Sequence, residues 1–123
     1  MKIFEKDTKV NFVDKNNRLV GYDMEANCCE DFGWYISAQD ACPKGVADVA
    51  DFGENLEPYC FEDVQVFTKR EAEEDECGGT ATFELTAKGK SPLYLTLYNF
   101  HNGYYSHGFE MRVGKKVLGC HDL

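Results

Sequence analysis

The chain contains no long hydrophobic run. A transmembrane helix needs about 20 consecutive apolar residues, and no segment of this 123-residue chain provides them. The first seven residues, Met-Lys-Ile-Phe-Glu-Lys-Asp, also lack the apolar segment of a signal peptide. We therefore expect a cytoplasmic protein that has no membrane partner. Because disulfides persist mainly in exported proteins, we also expect its cysteines to be reduced.

Positive charge is scarce in this sequence and is not concentrated anywhere. The chain has 13 Lys and Arg residues against 22 Asp and Glu residues, which gives a net charge of −9. Proteins that bind nucleic acids usually present a basic patch or stripe, so direct nucleic-acid binding is not expected. The acidic balance favours a protein partner that is basic or that itself binds nucleic acid, although ordinary solubility would explain the same charge.

The six cysteines lack the spacing of a zinc site. Zinc sites usually contain Cys-x₂₋₄-Cys pairs, whose two thiolates converge on one ion. Here Cys28 and Cys29 are adjacent, so an extended chain would point them to opposite faces. We therefore predict no metal and no cofactor. If a metal is bound, the expected ligands are Cys28 or Cys29 together with His101 or His107.

No motif in the sequence indicates a reaction. Gly78-Gly79 precedes a strand-like segment and is better interpreted as a bend than as a phosphate-binding loop. Cys28 or Cys29 could act as a nucleophile with a histidine and an acid nearby, but no flanking motif supports such a dyad. The sequence therefore predicts a non-catalytic protein, with a cysteine-dependent enzyme as an alternative.

The chain is rich in strand-like segments instead. They cover residues 9–14, 19–25, 34–38, 59–68 and 80–87, and two more lie within residues 91–113. Residues 46–51 could form one or two helical turns, and residues 116–118 a last strand. These segments predict one domain over residues 1–123, mainly β of the α+β type, with an antiparallel sheet of about seven strands and one short helix.

Residues 91–113 predict a β-hairpin that closes on Asn102-Gly103. Asn-Gly is the strongest short-range hairpin signal, because a type I′ turn needs a positive φ at both central residues. In the preceding strand, Phe83 is expected to pair with Leu97, and Leu85 with Leu95. This register rests on the alternation of side chains between two faces, so a bulge would shift it.

The two faces of this predicted hairpin differ in chemistry. Its leucine face, with Leu93, Leu95 and Leu97, is the predicted core. The residues of its aromatic face are Tyr94, Thr96, Tyr98, Phe100, Tyr105, His107, Phe109 and Met111. This aromatic face is either a second core layer, covered by the first half of the chain, or an exposed patch used for recognition, since large exposed apolar patches usually bind a partner.

The predicted binding residues come from this hairpin and from an earlier turn. His101 and Asn102 place several hydrogen-bonding groups at one end of the leucine face, which favours a small-ligand site or a turn held by its own side chains. The complete set of predicted binding residues is Tyr94, Tyr98, Phe100, His101, Asn102, Tyr104, Tyr105, His107, Glu30 and Asp31.

Four short motifs follow one another along the chain. They are Cys28-Cys29-Glu30, Asn55-Leu56, the acidic residues 69–79 ahead of Thr80-Ala81-Thr82-Phe83, and Asn102-Gly103-Tyr104-Tyr105. Over most of residues 8–113, their order and spacing resemble a family of small phage and bacterial proteins classed as a domain of unknown function. The chain departs from that family at Phe32-Gly33-Trp34-Tyr35, where the family has an acidic segment.

The resemblance implies no established activity. Together with the acidic charge, it implies a phage-type inhibitor of a host nucleic-acid-binding or defence protein as one instance of protein binding. The alternative is a small metal- or ligand-binding domain built on the Cys-Cys-Glu and Asn-Gly-Tyr-Tyr turns.

Overall fold

The computed structural model describes residues 1–24, 31–38, 56–71, 77–101 and 108–123. In these residues the chain forms ten β-strands, arranged in two antiparallel sheets. The mainly β fold class is thereby confirmed, whereas the prediction of about seven strands is too low. An additional strand forms over residues 2–6, and the segment predicted as one strand over residues 59–68 contributes to two. The predicted helix over residues 46–51 lies outside the described residues.

The first sheet contains five strands in the order β1-β2-β3-β9-β10. These strands are β1 (Lys2–Lys6), β2 (Lys9–Val13), β3 (Arg18–Asp23), β9 (Gly108–Val113) and β10 (Lys116–Asp122). β2 and β3 form a hairpin in which Val10 pairs with Tyr22 and Phe12 with Val20. All four of these side chains are fully buried, because strand residues two apart share one face of the sheet.

The second sheet places β8 (Leu93–His101) between β4 (Asp31–Ser37) and β7 (Cys77–Thr86). The other edge of β7 pairs with two short strands in succession, β5 (Cys60–Phe61) and β6 (Phe67–Glu71). Leu85 pairs with Leu93 and Phe83 with Leu95. The predicted register between β7 and β8 is therefore wrong by two residues. A shift of two leaves every side chain on its predicted face, since the side-chain period of a strand is two.

The predicted hairpin between β8 and β9 is wrong. β8 pairs with β4 and β7, whereas β9 pairs with β3 and β10, so the two strands belong to different sheets. The Asn102-Gly103 turn itself lies outside the described residues. A local turn signal cannot reveal that pairing with more distant strands buries the leucine face of β8 and satisfies both of its edges.

The core lies between the two sheets, which pack face to face. The ring centroids of Phe12 and Trp34 lie 5.0 Å apart across this interface, and those of Phe83 and Phe109 lie 6.1 Å apart. Phe109 and Met111 are 2% and 3% exposed and belong to this core. Their predicted place on the aromatic face is therefore wrong, because β9 faces β8 across the core instead of pairing with it.

A polar clamp joins the turn of the β2–β3 hairpin to β5. The carboxylate of Asp14 accepts hydrogen bonds from the backbone nitrogens of Asn16 (2.9 Å), Arg18 (3.0 Å) and Phe61 (3.0 Å). The guanidinium of Arg18 donates to the carbonyl oxygens of Phe61 (2.9 Å) and Glu62 (3.0 Å). This clamp fixes the start of the loop that joins β5 to β6.

The amino group of Met1 anchors the first residue to the segment before β5. It donates hydrogen bonds to the carbonyl oxygens of Leu56 (2.5 Å) and Glu57 (2.8 Å). Met1 and Leu56 are both buried in the core. Burial lowers the pKa of the Met1 amino group below its ordinary value of 8.0, because desolvation disfavours the charged form.

Candidate binding surface

Strand β8 has two chemically different sides, as its sequence predicts. Leu95 and Leu97 are fully buried on the side that faces the first sheet. Tyr94, Tyr98 and Phe100 alternate with them and are half-buried on the outer side of the second sheet. A binding surface on this strand therefore has to lie on its outer side, because the inner side is filled by the core.

Three aromatic rings lie together on this outer side. The ring centroids of Tyr98 and Phe100 are 6.0 Å apart and stacked, and those of Tyr35 and Tyr98 are 5.9 Å apart. Gly33, which pairs with Tyr98, makes room for its ring, because a Cβ there would lie 2.8 Å from the Tyr98 hydroxyl oxygen. Residues 1–24 pack on the opposite side of the sheet. Cover by the rest of the first half of the chain stays a prediction, because residues 25–30 and 39–55 lie outside the described residues.

The acidic hollow is a depression on the same outer side, next to Tyr94. It has a volume of about 120 Å³ and is lined by Glu62, Asp63, Val66, Phe67, Thr68, Thr82, Glu84 and Tyr94. Glu84 and Tyr94 pair directly across β7 and β8, so a carboxylate and an aromatic ring stand side by side. Beneath them, the hydroxyl oxygens of Thr82 and Thr96 lie 3.1 Å apart in a hydrogen bond.

The loop between β5 and β6 forms the rim of the acidic hollow. It is held by the hydrogen bond from the backbone nitrogen of Glu62 to the carbonyl oxygen of Glu84 (3.0 Å). Asp63 closes the loop, because its carboxylate accepts from the backbone nitrogen of Gln65 (2.8 Å). Val66 follows and is 68% exposed, the largest exposed fraction among the exposed large apolar residues of the described chain.

The acidic hollow has the chemistry of a site for a cationic side chain. Glu62, Asp63 and Glu84 supply three carboxylates around it. Glu62 also accepts a hydrogen bond from Thr86 (3.2 Å), and the guanidinium of Arg70 donates to Thr82 in the wall of the hollow (3.5 Å). Ammonium or guanidinium groups form charge-assisted hydrogen bonds with such carboxylates. The ring of Tyr94 adds a face on which a cation can rest. Val66, which is 68% exposed, supplies apolar surface for the aliphatic part of a Lys or Arg side chain.

A second depression lies on the outer side of the first sheet. Its volume is about 260 Å³. The residues that line it are Lys9, Asn11, Gly21, Asp23, Gly108, Phe109, Glu110, Cys120, His121 and Asp122. Gly21 and Gly108 lie in its floor, where Cβ atoms would meet the side-chain oxygens of Asn11 (2.8 Å) and Asp122 (3.4 Å).

The predicted site residues are only partly placed by the structure. Tyr94, Tyr98 and Phe100 share the outer side of β8, as predicted. Asp31 begins β4 and His101 ends β8, and their backbones pair with Phe100 and Cys77 respectively. The predicted residues outside the described ranges are Cys28, Cys29, Glu30, Asn102, Tyr104, Tyr105 and His107.

Sequence reasoning missed part of the acidic hollow. The alternation of β7 already indicates that Glu84 lies on the aromatic side. Glu62 and Asp63 carried no such signal, because residues 59–68 were interpreted as one continuous strand, whereas the chain leaves the sheet between β5 and β6.

Metal ligation and membrane crossing find no support in the described residues. Within them, no group of three or more His, Cys, Asp or Glu side chains is arranged to hold a metal ion. Cys60 and Cys120 are free thiols. The described part of the chain contains no helix long and apolar enough to span a bilayer.

Comparison with known proteins does not add a family. The chain matches no family model, no curated protein and no solved structure. The resemblance to the phage and bacterial family therefore stays a prediction, and the function has to be argued from the geometry of the surface.

Proposed function

We propose that the protein is a non-catalytic binding module that recognises a basic protein partner through the outer side of its second sheet. The observation that carries this proposal is the acidic hollow, in which Tyr94 and Glu84 stand side by side. A carboxylate next to an aromatic ring suits a Lys or Arg side chain better than it suits an anionic or apolar group.

Charge and apolar area contribute differently to such binding. Exposed ion pairs are worth only about 0.2–1 kcal/mol each, so the three carboxylates would mainly speed association and select the charge of the partner. Burial of an exposed valine such as Val66 contributes more, roughly 1.5 kcal/mol. We expect the partner to place an apolar residue next to its cationic one.

The partner segment has room to extend along β8. Tyr94 and Phe100 are six residues apart on the same side of this strand, a distance of about 20 Å. The stacked rings of Tyr98 and Phe100 would then form a second contact beyond the acidic hollow. A partner that spans both must present its cationic and apolar groups over a comparable length.

A phage-type inhibitor that acts in the host cytoplasm is one instance of this proposed function. Proteins that bind nucleic acids usually present a basic surface, and a module with a net charge of −9 suits such a surface. This step depends on the resemblance and on the sign of the charge. The binding of a basic segment does not depend on it.

Fluorescence anisotropy with short labelled peptides tests the proposal. The probes are peptides that contain Lys or Arg next to Leu or Val, and control peptides in which Glu replaces each cation. We expect the basic peptides alone to bind, and the double variant Glu62→Gln/Glu84→Gln to weaken their binding about tenfold. The matched control is Glu5→Gln/Asp7→Asn, which removes the same two charges at exposed positions in β1 and the turn after it. Equal binding of acidic and basic peptides, or equal effects of the two sets of substitutions, would refute the proposal.

A further inference from the structure

The outer side of the first sheet is broad, and no described strand packs against it. Alternation along the strands shows which side chains lie on this outer side. Val10, Phe12, Val20 and Tyr22 point into the core, so their neighbours in sequence point outward. Phe4, on the edge strand β1, is 54% exposed on this side, and Val117, on the edge strand β10, is 45% exposed. The outer side therefore combines exposed apolar groups at both edges of the sheet.

The charges on this outer side are balanced, unlike those of the rest of the chain. Its cations are Lys2, Lys6, Lys9 and Arg112, and its carboxylates are Asp23, Glu110 and Asp122. Four positive and three negative groups give this side a net charge of +1, whereas the whole chain has −9. A second copy would therefore meet less charge repulsion on this side than on sides that carry the acidic excess of the chain.

The two signs are also segregated. All three lysines lie on β1 and β2, and all three carboxylates lie on β3, β9 and β10. The fourth cation, Arg112, lies on β9 and forms an ion pair with Glu110 (3.2 Å), so the segregation concerns the row of Lys6, Lys9, Asp23 and Asp122. When a two-fold axis relates two copies of such a surface, the basic edge of one copy faces the acidic edge of the other. We propose that the outer side of the first sheet is the interface of a symmetric dimer of this protein.

The strand register predicts which residues meet in this dimer. Phe4, Asn11, Gly21, Glu110 and Cys120 form one row across the five strands. A two-fold axis parallel to the strands and passing through β3 lays β1 of one copy over β10 of the other. Phe4 then lies over Cys120, and Lys6, two residues further along β1, lies over Asp122. Asp23 lies on the axis opposite the Asp23 of the other copy, and the Lys9 of each copy flanks this pair.

The second depression fits this arrangement. It lies between β2 and β10 and extends to Cys120 and Asp122, beneath the position of Phe4 and Lys6 of the other copy. Its volume of about 260 Å³ leaves room for a side chain of the second copy.

The size of the interface predicts a weak dimer. Five strands spaced about 4.8 Å apart and six residues long present a flat area of roughly 24 by 20 Å per copy. Two copies would therefore bury about 1,000 Å², which is at the low end for specific interfaces. We expect dimers to form between about 10 μM and 1 mM and to weaken as salt screens the charges.

Sedimentation equilibrium of the full chain over this concentration range tests the proposal. The average mass should rise from 14.0 kDa towards twice that value. Lys6→Glu/Lys9→Glu and Asp23→Lys/Asp122→Lys should each weaken self-association at least tenfold. An equimolar mixture of the two variants should restore it, because an acidic face then meets a basic one. Thermal unfolding of each variant checks that it is folded.

Matched substitutions on the second sheet complete the test. Glu62→Lys/Glu84→Lys changes the net charge as much as Asp23→Lys/Asp122→Lys does, but it should neither weaken dimers nor restore them in the mixture. Phe4→Ser should weaken the dimer, whereas Val66→Ser should leave it unchanged and weaken peptide binding instead. A protein that stays at 14.0 kDa at 1 mM in low salt, or a dimer unaffected by the first-sheet substitutions, would overturn the proposal.

Discussion

Among single residues, Asp14 connects parts of the chain that are far apart in sequence. Its carboxylate closes the β2–β3 turn and also accepts a hydrogen bond from Phe61, 47 residues away. Asp14 is 4% exposed, so its hydrogen bonds lie largely out of reach of water. Because Phe61 directly precedes the loop that carries Glu62 and Asp63, the geometry of the acidic hollow depends on this buried carboxylate.

Asp14→Ala should therefore destabilise the protein by about 3 kcal/mol, because it leaves the buried backbone nitrogen of Phe61 and the part-buried one of Arg18 without an acceptor. The measurement is the free energy of unfolding in urea. The control is Asp63→Ala, which removes an exposed turn contact to Gln65 and should cost less than about 1 kcal/mol. Similar losses for the two variants would show that the clamp is not the link between the sheets that its geometry indicates.

Among the strands, β6 depends on a glycine of β7. Gly79 has φ of +146° and pairs with Glu71 at the end of β6. A Cβ at this position would lie 2.0 Å from the carbonyl oxygen of Arg70, a backbone atom that cannot move without loss of pairing. β6 can therefore lie against β7 only if this position has no side chain.

Gly79→Ala should consequently release β6 and cost at least about 3 kcal/mol. Gly89→Ala is the matched control, because Gly89 also has a positive φ but a Cβ there would meet nothing within 4 Å, so it should cost about 1 kcal/mol. Amide hydrogen exchange would report the effect, with faster exchange in β6 expected for the Gly79 variant. Unchanged protection of β6 would contradict this account.

The strands were predictable to the extent that their signals are local. Alternation identifies β2, β3, β7 and β8 and assigns the leucines of β8 to the core, because a strand's faces follow from its own sequence. β1 escaped prediction, since Lys-Ile-Phe-Glu-Lys is short and carries few apolar residues. Its position at the edge of the sheet explains why lysines are tolerated there.

Pairing between strands was less predictable, because it is decided by partners distant in sequence. Asn102-Gly103 indicated a local hairpin, yet the pairing of β8 with β4 and that of β9 with β3 join segments about 60 or more residues apart. The part of the acidic hollow formed by Glu62 and Asp63 was hidden for the same reason. Tyr94 meets Glu84 across two strands, and Glu62 joins them only through the loop that the Asp14 clamp fixes.

In the whole molecule, the two sheets present two different outer sides. The second sheet combines aromatic rings with the acidic hollow, and the first sheet has balanced charges around exposed Phe4. Because these sides face away from each other, a dimer formed through the first sheet would leave two acidic hollows accessible. Two linked binding sites would raise the apparent affinity for a partner that carries the recognised basic segment more than once.

The central claim is that the acidic hollow is where a basic partner binds. Amide NMR spectra of the isotope-labelled protein, recorded while a peptide with Arg next to Leu is added, test it most directly. The account predicts shifts at Glu62, Asp63, Val66, Glu84 and Tyr94, with none in β1, β2 or β3. Shifts confined to the first sheet, or no shifts at millimolar peptide, would contradict it.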